Sequence, residues 1–165
     1  MNTFKRLSTF FIALLISISL FGQNEIELNG KGNQTHTYKN STGVTSTELE
    51  YRGKILFNDD ETDVTFISPG GFLKFSKKSF GNRRTVELEG EANGVINRTY
   101  REGSTKMPFE PDGRKWMASV LPEIIRTTGI GAEERVKKFY AKGGLNAVLN
   151  EINELPSDYV QSKYY

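Results

Sequence analysis

From Asp63 to Phe75 the chain reads DVTFISPGGFLKF, two runs of alternating apolar and polar residues on either side of Ser-Pro-Gly-Gly. A period of two is the mark of half-buried strands. Pro69 presets φ near about −65° and Gly70 tolerates the positive φ of a type II turn. With those two residues in the loop, Phe66 faces Leu73 and Val64 faces Phe75, while Thr65 and Lys74 take the other face. The stretch predicts a hairpin. Proline at the first loop position excludes the primed two-residue turns, so a four-residue loop, Ser68–Gly71, keeps the same pairing without conflict.

Shorter alternations surround it. Glu25–Leu28 and Thr35–Tyr38 predict strands separated by the turn-rich Asn29–Asn33, and Asn40–Thr45 is a polar loop. Thr47–Tyr51 and Lys54–Phe57 flank Arg52-Gly53 as a tight hairpin, and Asn58–Asp63 is an acidic connection. Ser76–Arg84 reads as a basic loop containing Phe80. Thr85–Glu89 is a strand with Val86 and Leu88 on one face. Asn93-Gly94 is a strong hairpin signal leading to Val95–Arg101, where Val95 and Ile96 compete for the inner face. Glu102-Gly103 turns the chain into Thr105–Phe109.

At Pro111 the period changes to that of a helix. Trp116, Val120, Leu121, Ile124 and Ile125 form one stripe, which Pro122 interrupts and is expected to kink or split. Gly129 supplies a stop. Ala132–Lys142 gathers Val136, Phe139 and Tyr140 and ends at Gly143-Gly144. Leu145–Leu155 carries Leu145, Val148, Leu149, Ile152 and Leu155 at helical spacing, and Ser157 or Asp158 caps a last short helix. The expected fold is α+β: an antiparallel meander of six to eight short strands over residues 23–109, then three to four helices over 110–165 packed on the sheet, in one domain. Phe66, Leu73 and Phe75 are expected to meet the helix of Trp116, the lone tryptophan, read as core.

The first 22 residues stand apart. Lys5 and Arg6 precede the apolar run Leu7–Phe21, the arrangement of a secretory signal peptide cleaved after Ser19 or Gly22. The run is too short for a comfortable span, so no stable membrane span is expected after cleavage. The chain is therefore expected to be exported, periplasmic or secreted. Of 22 basic and 20 acidic residues, the leader removes two basic ones, leaving 20 of each. That balance argues against a nucleic-acid partner or a strongly charged membrane surface. With no cysteine, thiol chemistry and disulfide staples are excluded.

Candidate chemistry is sparse. The sole histidine, His36, sits between two threonines without a placed partner, and an exposed strand or loop position accounts for it. Asp59, Glu61 and Asp63 alternate like oxygen ligands of a calcium loop, but the glycine and distal glutamate of that loop are missing, and a solvated connection fits them better. Lys74, Lys77, Lys78, Arg83 and Arg84 cluster as a candidate anion patch, with Glu87, Glu89 and Glu91 available to neutralise it. Gly129-Ile130-Gly131 has the outline of a DNA-binding helical hairpin, but Arg135 occupies the position where that motif needs a small residue. The sequons at Asn33, Asn40 and Asn97 are read as chance.

Three stretches, DETDVTFISPGGFL, WMASVLPEIIRTTGIGAEERV and KGGLNAVLNEINELPSDYVQSKYY, resemble an uncharacterised extracytoplasmic module of bacterial exported proteins. The same wording is similar to the segment that follows the zinc metallopeptidase of antibiotic-sensing anti-repressor proteins. The similarity runs over about residues 53–165. The peptidase's HExxH motif is absent, so the resemblance implies no catalytic residue and no cofactor. It implies association with an envelope sensing or signalling system.

The expectation is thus an exported, non-enzymatic binding or accessory module of the bacterial envelope. Tyr159, Val160, Tyr164 and Tyr165 at the helical end are the candidate contacts for an envelope protein or a second copy. Two alternatives come from other classes: a small-ligand carrier with a cavity lined by Phe66, Leu73, Phe75 and Ile124, and a glycan hydrolase pairing carboxylates from Asp59, Asp63, Glu87 and Glu89.

Overall fold

The structure, a computed structural model, describes residues 26–29 and 34–165; the leader segment and its cleavage sites lie outside the described residues. Antiparallel strands are followed by C-terminal helices, so the α+β class holds. Among the described residues nine strands form two sheets. The smaller has the order β1 (Ile26–Asn29), β4 (Lys54–Phe57), β5 (Val64–Ile67). The larger is a meander: β2 (His36–Thr42), β3 (Thr45–Arg52), β6 (Phe72–Ser79), β7 (Asn82–Gly90), β8 (Ile96–Glu102) and β9 (Thr105–Met107). One helical turn, Phe109–Gly113, then leads into α1 (Arg114–Thr128), α2 (Ala132–Asn153) and α3 (Asp158–Gln161).

Two expected hairpins are absent. β5 pairs with β4, and β6 pairs with β3 and β7, so Ser68–Gly71 carries the chain from one sheet to the other. Arg52-Gly53 makes the same passage in the opposite sense, since β3 pairs with β2 and β6. Local turn chemistry is satisfied equally by a hairpin and by a corner, and only the long-range pairing separates them. Both crossings meet at one point. Ser68 Oγ accepts from Lys54 N at 3.0 Å, and the Arg52 guanidinium donates to Gly70 O at 2.7 Å. Gly90 lies against them so closely that a Cβ there would stand 2.4 Å from Ile67 O and 2.5 Å from Ser68 O.

Both sheets and α1 share one core, which includes Leu49, Ile55, Phe57, Val64, Ile67, Leu73, Phe75, Val86, Leu88 and Tyr100 with Met117, Leu121, Ile124 and Ile125. A bulge between Leu56 and Phe57 shifts the β4–β5 register, and Val64 and Ile67 are buried while Phe66 is half-exposed. Leu73 and Phe75 do share the core with α1, but Phe66 does not belong to it. Ile96, not Val95, faces inward; Val95 is exposed. The helix runs through Pro122 without a break. Buried residues on both sides of the proline, Met117 to Leu121 and Ile124 to Thr128, hold the two halves against the sheet and offset the lost hydrogen bond, about 3 kcal/mol. The polar run Asn40–Thr45 is strand as far as Thr42, and Ser76–Arg84 is a continuation of β6 and β7 rather than a loop.

The helical half departs more from its pattern. α2 leaves helical geometry at Gly143 and Gly144, as the glycine pair predicts. Val148, Ile152 and Leu155 are buried with Ala132, Val160 and Tyr164, but Tyr140, Leu145 and Leu149 are exposed. In their place α2 buries two cations. Arg135, only 1% exposed, bonds Glu61, Glu151 at 2.5 Å and the Tyr164 hydroxyl at 2.7 Å, and Lys138 also bonds Glu61, at 3.1 Å. Burial pulls the Arg135 guanidinium pKa down, but Glu61, Tyr164 and Glu151 outweigh it and the net shift is upward.

Two substitutions test this architecture by urea unfolding. Gly90→Ala forces a methyl into two carbonyl oxygens and is expected to cost at least about 2 kcal/mol; an unchanged midpoint would show that the corner yields. Arg135→Ala removes the buried guanidinium shared by Glu61 and Glu151, leaving them Lys138 and Arg126 alone, and is expected to cost about 3 kcal/mol. A loss under about 1 kcal/mol would mean that the cluster is a passive ornament of the helix.

Candidate functional site

Three turns line up at one end of the six-stranded sheet: Gly43-Val44 after β2, Phe80-Gly81 after β6 and Gly103-Ser104 after β8. Phe80 N donates to Val44 O at 3.1 Å, and Gly103 N donates to Arg83 O at 2.7 Å. Ser79 pairs with Asn82, so Phe80 and Gly81 are a two-residue loop, with φ of 48° and 85°. Positive φ at both positions is the type I′ pattern, which favours Asn or Asp first and Gly second. Phenylalanine in the left-handed region is a genuine outlier. Its ring is 80% exposed, and no burial repays the strain.

Beneath these tips the sheet and the first half of α1 leave an open groove of about 770 Å³, lined among others by Lys77, Phe80, Arg84, Glu102 and Trp116. A second depression of about 400 Å³ continues it past Arg84 and Trp116 to Asp112, Lys115 and Ser119. Trp116 is partly buried, stacked on Phe75 at 5.7 Å and tilted against Tyr100 at 5.8 Å. It is therefore both a core residue and part of the groove wall, held in place by its two aromatic neighbours. The Tyr100 hydroxyl donates to Glu102 Oε1 at 2.6 Å, and burial together with that carboxylate pushes its pKa up to about 12. Arg84 holds the same carboxylate at 3.1 Å.

The five cations of the expected anion patch divide between two faces. Lys77 and Arg84 stand on the groove side; Lys77 bonds Glu123 of α1 at 2.6 Å. Arg83 bonds Glu48 at 2.9 Å and Ser76 at 3.2 Å on the outer face, and the Arg83 hydrogen bond holds the Glu48 carboxyl below its usual range. Lys78 lies opposite Arg83, and Lys74 is flanked by Glu50 and Glu87. The groove thus offers an aromatic wall, two cations already oriented by acids, and Lys115, which makes no ion pair among the described residues. That combination can hold an anion with a flat or apolar side.

Other candidates fare differently. Val160 and Tyr164 are buried, Tyr164 by its bond to Arg135, so only Tyr159 and Tyr165 of the four helical-end residues remain exposed. Two acids of the loop are paired internally: Asp63 bonds Arg98 at 3.4 Å and Arg114 at 2.5 Å, and Glu61 faces Arg135 and Lys138, while Asp59 and Asp60 are exposed. Among the described residues no cluster of His, Cys, Asp and Glu is arranged for a metal. Asp63 lies on the helix side of the sheet, whereas Glu87 and Glu89 share its other face, so Asp63 does not pair with either of them. The core void lined by Leu73 and Ile124 measures about 10 Å³, room for about one water, so the carrier's interior is filled. His36 stacks on Tyr51 at 4.9 Å in the strand β2.

Trp116 as a groove wall was invisible in the helical stripe, because periodicity reports which face is inward and not where the covering sheet ends. Phe80 carried a signal: an aromatic followed by glycine between two basic strands. Comparison of the chain with protein-family models, curated proteins and solved structures gives no match.

The turn supplies its own test. Phe80→Asn places a residue suited to the left-handed region at the first loop position and removes no buried contact. It is expected to raise stability by about 0.5–1 kcal/mol in thermal unfolding; a loss of stability would show that the Phe80 ring contributes to folding after all.

Proposed function

We propose that this chain is an exported, non-enzymatic binding module of the bacterial envelope, and that it holds an anionic ligand in the groove between the hairpin tips and α1. The observation that carries the reading is Trp116 in the groove wall, braced by Phe75 and Tyr100, with Lys77, Arg84 and Lys115 around it. A braced aromatic beside oriented cations is a preorganised binding surface, and preorganisation lowers the entropic cost of binding. Export is supported by the charged and apolar leader. The place beside an envelope sensing system rests on the resemblance of the Asp60–Leu73 and C-terminal stretches alone. A binding role also fits the separation of Asp63 from Glu87 and Glu89 and the lone histidine stacked in a strand.

Trp116 is the sole tryptophan, so its emission reports on the groove directly. Titration with inorganic pyrophosphate and, separately, with polygalacturonate is expected to change that emission saturably for at least one of them. Arg84→Gln is expected to weaken the response at least fivefold. A flat titration with both probes, or an unchanged response in Arg84→Gln, would overturn the assignment of the groove.

A further inference from the structure

The six-stranded sheet is electrically lopsided. Its four ladder rungs nearest the tips run from Thr42, Thr45, Ser79 and Asn82 to Lys39, Glu48, Ser76, Thr85, Arg101 and Lys106. They contain seven cations, Lys39, Lys77, Lys78, Arg83, Arg84, Arg101 and Lys106, against two acids, Glu48 and Glu102. At the far end, the rungs from Thr37 to Arg52 carry Lys74, Arg98 and Arg52 against Glu50, Glu87 and Glu89, which is neutral. The even balance of the whole mature chain therefore conceals a basic end.

That end finishes in apolar side chains. Val44 is 59% and Phe80 is 80% exposed, on adjacent turns joined by the Phe80 N to Val44 O bond. Phe80 holds its position at a conformational cost that no internal contact offsets. An apolar point ahead of a collar of lysine and arginine matches a bilayer whose surface is anionic: the ring and the valine enter the acyl boundary while the long cationic side chains reach the headgroups. A soluble polyanion would engage the collar equally well but would leave Val44 and Phe80 without a role.

We infer that the hairpin-tip end docks reversibly on an anionic lipid bilayer, with Phe80 and Val44 inserted and the basic rungs facing the headgroups. This rests on the reading of the same end as an anion-binding surface and names the lipid surface as its source. Few apolar atoms are inserted, so docking depends on both contributions and weakens with salt.

Sedimentation with vesicles tests it. The protein is expected to bind vesicles containing phosphatidylglycerol at least tenfold more tightly than pure phosphatidylcholine vesicles at low salt, and to be released in 0.5 M salt. The single variant Val44→Ser, outside the groove lining, is expected to weaken vesicle binding with its response to polygalacturonate unchanged, and the double variant Val44→Ser, Phe80→Ser is expected to lose at least tenfold in vesicle binding. Circular dichroism on that variant confirms that the turn changes leave the fold intact. Vesicle binding that is indifferent to the double variant would overturn insertion and leave the anion-binding reading in place. Binding of polygalacturonate or pyrophosphate without vesicle binding would overturn the lipid assignment alone, and binding to none of the three would overturn both readings.

Discussion

The architecture depends on the close contact of backbones at the corner where the two sheets exchange strands. Gly90 comes within van der Waals range of the Ile67 and Ser68 carbonyls, and Gly53 and Gly71 meet beside Ser68. A side chain at Gly90 would push the end of β7 away from the chain entering β6. With the contact intact, Arg52-Gly53 takes the chain into the small sheet and Ser68–Gly71 returns it to the centre of the large one. β6 is then inserted between β3 and β7, and β7 to β9 follow as a meander. Lys77, Lys78, Arg83 and Arg84 share one end of the sheet because they flank the Phe80-Gly81 turn, and the insertion of β6 beside β3 brings Lys39 to the same end.

A second constraint works on the helices. Their apolar faces alone do not decide how α2 lies, since Leu145, Leu149 and Tyr140 remain in solvent. The buried Arg135 decides it, with donors committed to an acid from the loop before β5, an acid from the far half of α2 and the hydroxyl of Tyr164. A guanidinium can serve three partners in fixed directions, which a lysine cannot. Such a cluster contributes less net stability than it would cost to break, and its effect here is to specify one arrangement: acidic loop, α2 and C-terminal turn held together. It also withdraws Glu61 from calcium and Tyr164 from any partner.

The candidate site is built from parts that these constraints leave over. α1 is pressed to the sheet by Met117, Leu121, Ile124 and Ile125, and its first turns overhang the tip end, so Trp116 covers Tyr100 and Phe75 with part of its ring still in the groove. The tip beyond it is strained at Phe80 and basic on both faces. Strain without burial and charge without full pairing are costs to folding, and their coincidence at one end of one sheet is what draws the binding reading there.

Much of this protein was written locally. The α+β class, the positions of most strands, the Asn93-Gly94 hairpin, the α1 stripe, the glycine break in α2 and the Ser157 cap follow from periodicity and turn chemistry, which act over a few residues. The tertiary structure decided what no local window contains. Ser68–Gly71 and Arg52-Gly53 satisfy the rules of a hairpin and became corners, because strand partners are chosen by long-range burial. Leu145 and Leu149 followed a helical stripe into solvent, whereas Arg135 and Lys138 went inside, because acids distant in the chain were waiting for them. The five basic residues from Lys74 to Arg84 were legible as a cluster. Their division between two faces, and the gathering of Lys39, Arg101 and Lys106 around four of them at one end with Lys74 left at the other, required the register of six strands.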